Sequence, residues 1–90
     1  MAKALKKKIT FSLAAPQAET VALVGDFTGW EKNPVTLTKQ KDGRWTAVIP
    51  LAAGEHEYRF LVDGEWRDDP ECGTRRQNPF GAANCVRVIA

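Results

Sequence analysis

A single Asp-Gly dipeptide, Asp63-Gly64, separates two short apolar-rich runs within the stretch Gly54–Pro70. Asp-Gly accepts positive φ at both central positions of a turn, and it therefore favours the type I′ turn whose twist matches that of two antiparallel strands. The stretch is predicted to fold as a β-hairpin with a two-residue turn. This turn alone determines which residues of the two strands lie opposite each other.

The register of the hairpin follows because the residues beside a two-residue turn pair first. The predicted pairs are Val62 with Glu65, Leu61 with Trp66, Phe60 with Arg67, and Arg59 with Asp68. Paired side chains share a face, and faces alternate along each strand. One face, the predicted core face, has Tyr58, Phe60 and Val62, whereas the other has Arg59, Leu61, Trp66 and Asp68. On that second face Trp66 either packs on a further apolar layer, shields Leu61, or meets a ligand beside Arg59.

The rest of the chain indicates further short strands separated by turn signals. These predicted strands are Lys8–Leu13, Val21–Val24, Val35–Thr38, Arg44–Pro50 and Asn84–Ile89, and Asp68–Ala83 is predicted to be a long irregular segment. With the hairpin they make about seven strands, and no helical period is present, so an all-β antiparallel sandwich is expected. Trp45 shares a strand face with Ala47 and Ile49 and is predicted to lie in the core. Trp30 follows Gly29 in a loop and is expected to be partly exposed.

Length and charge restrict the classes of function. Ninety residues suit one domain, predicted as a basic N-terminal segment over 1–8 and a β-sandwich over 9–89. Four of the thirteen basic residues, Lys3, Lys6, Lys7 and Lys8, fall in the first eight positions, and the net charge is only +2. No broad basic face is implied, so nucleic acid is not expected as a partner. No window reaches the length of a membrane span, and Lys6–Ala18 fits a strand better than a secretory signal.

Residues with catalytic or metal-binding chemistry are few and scattered. His56 is the only histidine and is predicted to be hydrogen-bonded at the start of a strand. Asp68 and Asp69 are adjacent, so on extended backbone they point to opposite faces and cannot flank one glycosidic bond. Cys72 and Cys85 have no CxxC spacing; they either pair in the fold or remain reduced thiols of a cytoplasmic protein. We expect no enzyme activity, no metal and no cofactor.

Several motifs occur together in one order along the chain. They are Val24–Trp30, Gly54–Trp66, Asp69-Pro70, Asn78–Gly81 and Asn84. From about Thr10 to Ile89 the sequence closely resembles the family-48 carbohydrate-binding modules. These modules include the glycogen-binding domain of the AMP-activated protein kinase β subunit and the N-terminal modules of branching and debranching enzymes.

The resemblance implies an immunoglobulin-like β-sandwich that binds α-1,4-linked glucan such as glycogen or starch, or a maltooligosaccharide. Trp30 and Trp66 match the two family tryptophans that stack on glucose rings, and Arg59 matches the basic residue that hydrogen-bonds sugar hydroxyls. Asn84 falls at or next to the polar asparagine of the family, and Phe80 falls near its aliphatic contact. The implied protein partner is a glycogen-metabolising enzyme or a kinase, with the module targeting itself or that enzyme to the polymer in the cytoplasm.

Elementary chemistry agrees with this assignment. A pyranose presents a patch of C–H groups on each face, which an indole covers well, and a rim of hydroxyls that needs directed donors such as a guanidinium. Gly81 and Ala82 stand where glycogen-binding members have a threonine region, so one alternative is a regulatory protein-interaction module that has lost sugar binding. Another is a lysine-rich start that binds anionic surfaces. The chain fits either a free-standing protein or a part of a larger enzyme.

Overall fold

Two antiparallel sheets enclose an apolar core in the computed structural model, which describes residues 6–77 and 83–90. Within these ranges the nine strands are β1 (Lys6–Ala14), β2 (Val21–Gly25), β3 (Val35–Thr36), β4 (Thr38–Lys39), β5 (Arg44–Ala52), β6 (Gly54–Val62), β7 (Glu65–Arg67), β8 (Arg75–Gln77) and β9 (Ala83–Ile89). One short 3-10 turn, Trp30–Lys32, is the only helical element of the described residues. The all-β, immunoglobulin-like antiparallel sandwich predicted from the sequence is confirmed.

Strand β6 lies at the centre of the larger sheet. The smaller sheet has the order β1-β5-β4, and the larger one the order β3-β2-β6-β9-β8. Strands β9 and β7 pair with the same edge of β6: β9 pairs with its first half, and the short strand β7 pairs with its second half. Side chains on the outer face of β6 are therefore surrounded by those of β2, β7 and β9.

The hairpin of β6 and β7 has the predicted turn and register. Asp63 and Gly64 have φ values of 51° and 82°, the pair of positive angles that a type I′ turn requires. The pairs are Phe60 with Arg67, Leu61 with Trp66, and Val62 with Glu65. The Asp63 carboxylate also accepts hydrogen bonds from the backbone N–H groups of Glu19 and Thr20, both at 2.9 Å, which lowers the pKa of this carboxyl group. The turn is thereby attached to the segment that leads into β2.

The core lies between the inner faces of the two sheets. It contains the predicted inner residues of β6 together with side chains of β1 and β5: Tyr58, Phe60, Val62, Phe11, Leu13 and Trp45. Trp45 is only 7% exposed, and its indole Nε1 donates to the carbonyl of Ala15 at 2.9 Å. A buried indole N–H needs such an acceptor, and the prediction that Trp45 is a core residue is confirmed.

Two predictions about strands were wrong. Val35–Thr38 was predicted to be one strand, but the chain passes from the larger sheet (β3) to the smaller one (β4) at Leu37, whose side chain is buried in the core. Asp68–Ala83 was predicted to be irregular, but it contains β8, which pairs with β9. All three residues of β8 are exposed and polar, so no alternation of apolar residues indicated a strand there. Its backbone instead pairs with β9, which would otherwise be an open edge.

Candidate functional site

The outer face of the β6–β7 hairpin presents an indole to solvent. Trp66 is 41% exposed, in contrast to the buried Trp45 of the core. It lies opposite Leu61 and next to Arg59, whose Cζ atom is 5.2 Å from the centre of the Trp66 ring. This distance is within the range of a cation–π contact. The structure thus places Trp66 and Arg59 together on the face that the hairpin register predicted.

Asp68 holds the guanidinium of Arg59. Strand β7 ends at Arg67, so the predicted Arg59–Asp68 pair lies beyond the strand, but the two side chains are in contact: Asp68 Oδ1 accepts a hydrogen bond from Arg59 Nε at 3.0 Å. The other carboxylate oxygen, Oδ2, is 3.0 Å from Nη1 of Arg75 on β8. The side chain of Arg59 is only 18% exposed in this arrangement. Arg59 is therefore held between a carboxylate and an indole.

Asn84 lies on the same outer face as Arg59. Tyr58 pairs with Cys85, so the same register extended by one residue puts Asn84 opposite Arg59. Asn84 is 5% exposed, and its Nδ2 donates to Oε1 of Glu57 at 3.1 Å. The other oxygen of Glu57 accepts from Arg76 Nη1 at 3.2 Å. Asn84 is thus a hydrogen-bonded and largely buried neighbour of the half-buried Arg59, which lies beside the exposed Trp66.

Trp30 occupies a constrained turn after β2. It has a φ of 58° and follows Gly29 with a φ of 68°, so two consecutive residues are left-handed. A non-glycine residue in this region costs of order 1–3 kcal/mol and persists only where surrounding contacts hold it. One such contact is the buried hydroxyl of Thr28, which lies 2.9 Å from the carbonyl of Trp30 and accepts from the N–H of Gly25 at 3.0 Å. Trp30 is half-buried, consistent with the predicted partial exposure.

The turn Trp30–Lys32 packs against β2. On this strand Val24 pairs with Arg59, and the two side chains therefore point to the same outer face. Val24 is nevertheless fully buried, so other groups cover it. The turn that contains Trp30 is a neighbour of the strand that carries Val24, and it is therefore close to the larger sheet.

Phe80, the fifth sequence-predicted binding residue, lies outside the described residues, as do Gly81 and Ala82. The described residues do bring together Trp66, Arg59 and Asn84 on one face. Trp30 lies in the turn against the adjacent strand β2. The predicted binding residues that can be placed are therefore on, or next to, the larger sheet.

The other polar groups have structural partners. His56 Nε2 donates to the carbonyl of Ala52 at 2.8 Å, as predicted for a histidine at the start of a strand. The buried Asp69 accepts from the hydroxyl of Tyr58 at 2.8 Å. Cys72 and Cys85 are free thiols. Among residues 6–77 and 83–90, no group of three His, Cys, Asp or Glu side chains is placed to hold a metal ion, and no helix has the length and apolarity to cross a membrane.

Two contacts of the site were not predicted from the sequence. The register of the hairpin indicated the pair of Arg59 with Asp68, but not the second guanidinium from Arg75. That contact depends on β8, a strand without a sequence signal. The bond from Asn84 to Glu57 joins residues 27 positions apart and depends on the pairing of β6 with β9. Local pattern cannot indicate such a pairing.

Comparison with known proteins identifies a family and several relatives of this chain. A family model described as the glycogen recognition site of AMP-activated protein kinase matches residues 8–90. The chain is 31% identical over 80 residues to phosphoglucan phosphatase LSF1, chloroplastic, of Arabidopsis thaliana, covering 89% of this chain and 14% of that protein. It is 44% identical over 50 residues to the 5'-AMP-activated protein kinase subunit beta-1 of Sus scrofa, covering 56% and 38%.

A third relative is the 1,4-alpha-glucan branching enzyme GlgB of Butyrivibrio fibrisolvens. It is 36% identical over 84 residues, and the match covers 87% of this chain and 13% of the enzyme. The chain therefore corresponds to between 13% and 38% of the length of these three proteins.

Proposed function

Because the chain belongs to the family of the glycogen recognition site of AMP-activated protein kinase, we propose that it binds α-1,4-linked glucan through the outer face of β6 and β7. The observation behind this proposal is the exposed indole of Trp66 with the guanidinium of Arg59 held beside it. An indole covers the C–H face of a glucose ring, and a guanidinium donates to the hydroxyls around its rim. A single face thus offers both kinds of contact that a pyranose requires.

The remaining predicted residues are proposed to extend this site. Trp30 would stack on a second glucose ring, while Asn84 and Phe80 would contact the hydroxyls and the apolar face of the same chain of sugars. The position of the Trp30 turn beside β2 supports the first assignment, and the place of Asn84 next to Arg59 supports the second. A linear or curved glucan of several residues would then lie across the sheet.

The expected affinity is modest. Stacking of a nucleobase on an aromatic side chain is worth about 1–3 kcal/mol per ring, and we take this as a ceiling for sugars. Two rings and a few hydrogen bonds that compete with water, set against the ordering of a flexible glucan, suggest dissociation constants of roughly micromolar to millimolar order. Multivalent attachment to a polymer would compensate for weak single contacts.

We further propose that this module of residues 1–90 has no catalytic role and brings itself or an associated enzyme to glycogen-like polymer. Two of the relatives, a phosphoglucan phosphatase and a glucan branching enzyme, are enzymes by name, and a third is a subunit of a kinase. These names support a glycogen-metabolising enzyme or a kinase as the protein partner. The cytoplasmic location suggested by the reduced thiols stays a prediction.

The test is Trp66→Ala, measured by retardation of the protein in native gels that contain glycogen. Loss of a ring worth about 1–3 kcal/mol predicts binding that is weaker by a factor of about 5 to 150, which removes visible retardation. Val88→Ala is the matched control, because Val88 is an exposed apolar residue at 61% on β9 of the same sheet. Its retardation should equal that of the unmodified protein.

Equal retardation of Trp66→Ala and the unmodified protein would contradict the proposed site. Cooperative urea unfolding of each variant verifies that both are folded. Failure of the unmodified protein to bind maltoheptaose or β-cyclodextrin would instead favour the alternative, a protein-interaction module of the same fold.

A further inference from the structure

Asp68 is in contact with two guanidinium groups at the end of the hairpin. Its two oxygens lie 3.0 Å from Arg59 Nε and 3.0 Å from Arg75 Nη1, respectively. Arg59 in turn lies over the ring of Trp66. A continuous set of contacts therefore joins β8, through Asp68, to the side chains proposed to bind glucan.

The backbone at Asp68 is attached to the core through the next residue. The Asp69 carboxylate accepts from the buried hydroxyl of Tyr58 at 2.8 Å and from the N–H of Glu71 at 2.9 Å. Adjacent side chains of extended backbone point to opposite sides, so Asp69 points inward while Asp68 points outward. The outward carboxylate is thus presented at a fixed place, and it can act as an anchor for Arg59.

Such an anchor matters because the proposed ligand is neutral. An arginine side chain has several rotatable bonds, and an uncharged sugar does not attract it over a distance. Asp68 accepts from the Nε–H of Arg59, and among residues 6–77 and 83–90 no side chain accepts from its Nη donors, which are proposed to meet hydroxyl groups of a ligand. With the guanidinium already fixed beside the indole, binding need not immobilise it.

We propose that Asp68 is a positioning residue of this site, which holds Arg59 on Trp66 so that the pair is preformed for a neutral glucan. This inference rests on the proposed function. Asp68 itself is not proposed to touch the sugar. Its role is distinct from that of the binding residues because it acts through Arg59.

The first test compares Asp68→Asn with Glu65→Gln, a matched change of an exposed carboxylate to an amide in the same hairpin. Asparagine keeps one acceptor but presents an NH₂ group to the second guanidinium. Since exposed ion pairs contribute modestly, the dissociation constant for maltoheptaose should rise about 2- to 5-fold in Asp68→Asn and stay unchanged in Glu65→Gln. In an Arg59→Ala background, Asp68→Asn should have no further effect.

The second test uses salt, because maltoheptaose has no charge. Affinity of the unmodified protein should fall between about 0.02 M and about 0.5 M sodium chloride as the ion pair is screened, whereas that of Asp68→Asn should be nearly constant. A purely structural role of Asp68 would not produce this difference. The side-chain Nε–H signal of Arg59 in nuclear magnetic resonance spectra should be protected from exchange in the unmodified protein and lost in Asp68→Ala, which has no side-chain acceptor.

The outcomes separate this inference from the proposed function. If Trp66→Ala abolishes binding while Asp68→Asn binds like Glu65→Gln, the site stands and the positioning role is wrong. If the Arg59 Nε–H signal persists in Asp68→Ala, Asp68 does not hold Arg59, and the inference is overturned independently of any sugar. If Trp66→Ala binds as well as the unmodified protein, the proposed function fails and the positioning role fails with it.

Discussion

Removal of a single hydroxyl group by Tyr58→Phe should destabilise the whole fold. The Tyr58 hydroxyl donates to Asp69 Oδ2 at 2.8 Å, in a place where Asp69 is only 7% exposed. A hydrogen bond to a charged group contributes about 1.5–3 kcal/mol, and its loss leaves a buried acceptor unpaired. We therefore expect the free energy of unfolding to fall by about 2 kcal/mol, equivalent to roughly 8–16 °C in Tm for a domain of this size.

Urea unfolding followed by tryptophan fluorescence measures this loss. The control is the same substitution in an Asp69→Ala background, where no carboxylate remains to be left unpaired, so removing the hydroxyl should cost less than about 0.5 kcal/mol. A loss of less than about 0.5 kcal/mol for Tyr58→Phe in the protein that retains Asp69 would contradict the reasoning. It would mean that the bond adds nothing beyond what water supplies.

Alkaline titration gives a second view of the same hydroxyl. Burial and the bond to Asp69 raise the pKa of Tyr58 well above its ordinary value of 10.0. Tyr58 is the only tyrosine, so absorbance near the phenolate band reports on it alone. The unfolded chain loses this proton first, so the free energy of unfolding should fall by up to about 1.4 kcal/mol per pH unit above pH 10. Phenolate absorbance at pH 10 without unfolding would be evidence against the buried bond.

Two further predictions concern small residues near the site. In Gly25→Ala a Cβ would lie 2.5 Å from the backbone oxygen of Glu57, so the free energy of unfolding in urea should fall by at least about 1–3 kcal/mol. Gly73→Ala, with open space around it, should change this free energy by less than about 0.5 kcal/mol. Similar losses in both variants would be inconsistent with the Gly25 contact. In thiol labelling followed by mass spectrometry, the half-buried Cys72 should react before Cys85, because burial raises the pKa of the fully buried Cys85 thiol to about 12. Equal labelling rates of the two thiols in the folded protein would contradict this prediction.

Local chemistry predicted the hairpin well but could not predict what surrounds it. The two-residue turn determines the pairs of Leu61 with Trp66 and of Phe60 with Arg67, so one dipeptide was enough to place an indole outside and a phenyl ring inside. The switch between sheets at Leu37 leaves no mark on the alternation, because an inward side chain suits either sheet. Strand β8 went unpredicted for a different reason: its three residues are exposed and polar, and only its pairing with the edge of β9 makes it a strand.

The hydrogen bond between Asp69 and Tyr58 could not be predicted from the sequence. An Asp followed by Pro is typical of a turn, and that interpretation says nothing about burial. Its acceptor role depends on Tyr58, which lies 11 residues earlier on the inner face of β6. Neither residue alone suggests a buried hydrogen bond. The bond can be inferred only after the hairpin and the segment that follows it have been placed together.

The adjacent carboxylates Asp68 and Asp69 connect the stability of the fold to the geometry of the proposed site. Sequence reasoning excluded them as a catalytic pair because neighbours on extended backbone point apart, and their contacts are indeed on opposite sides. The inward one bonds to a core phenol, and the outward one to the guanidinium beside Trp66. Because one backbone segment holds both, a change that loosens Asp69 from the core should also loosen Arg59. Stability and glucan affinity are therefore both expected to fall in Tyr58→Phe. In Asp68→Asn only the affinity should fall, because the inward bond of Asp69 to Tyr58 stays in place.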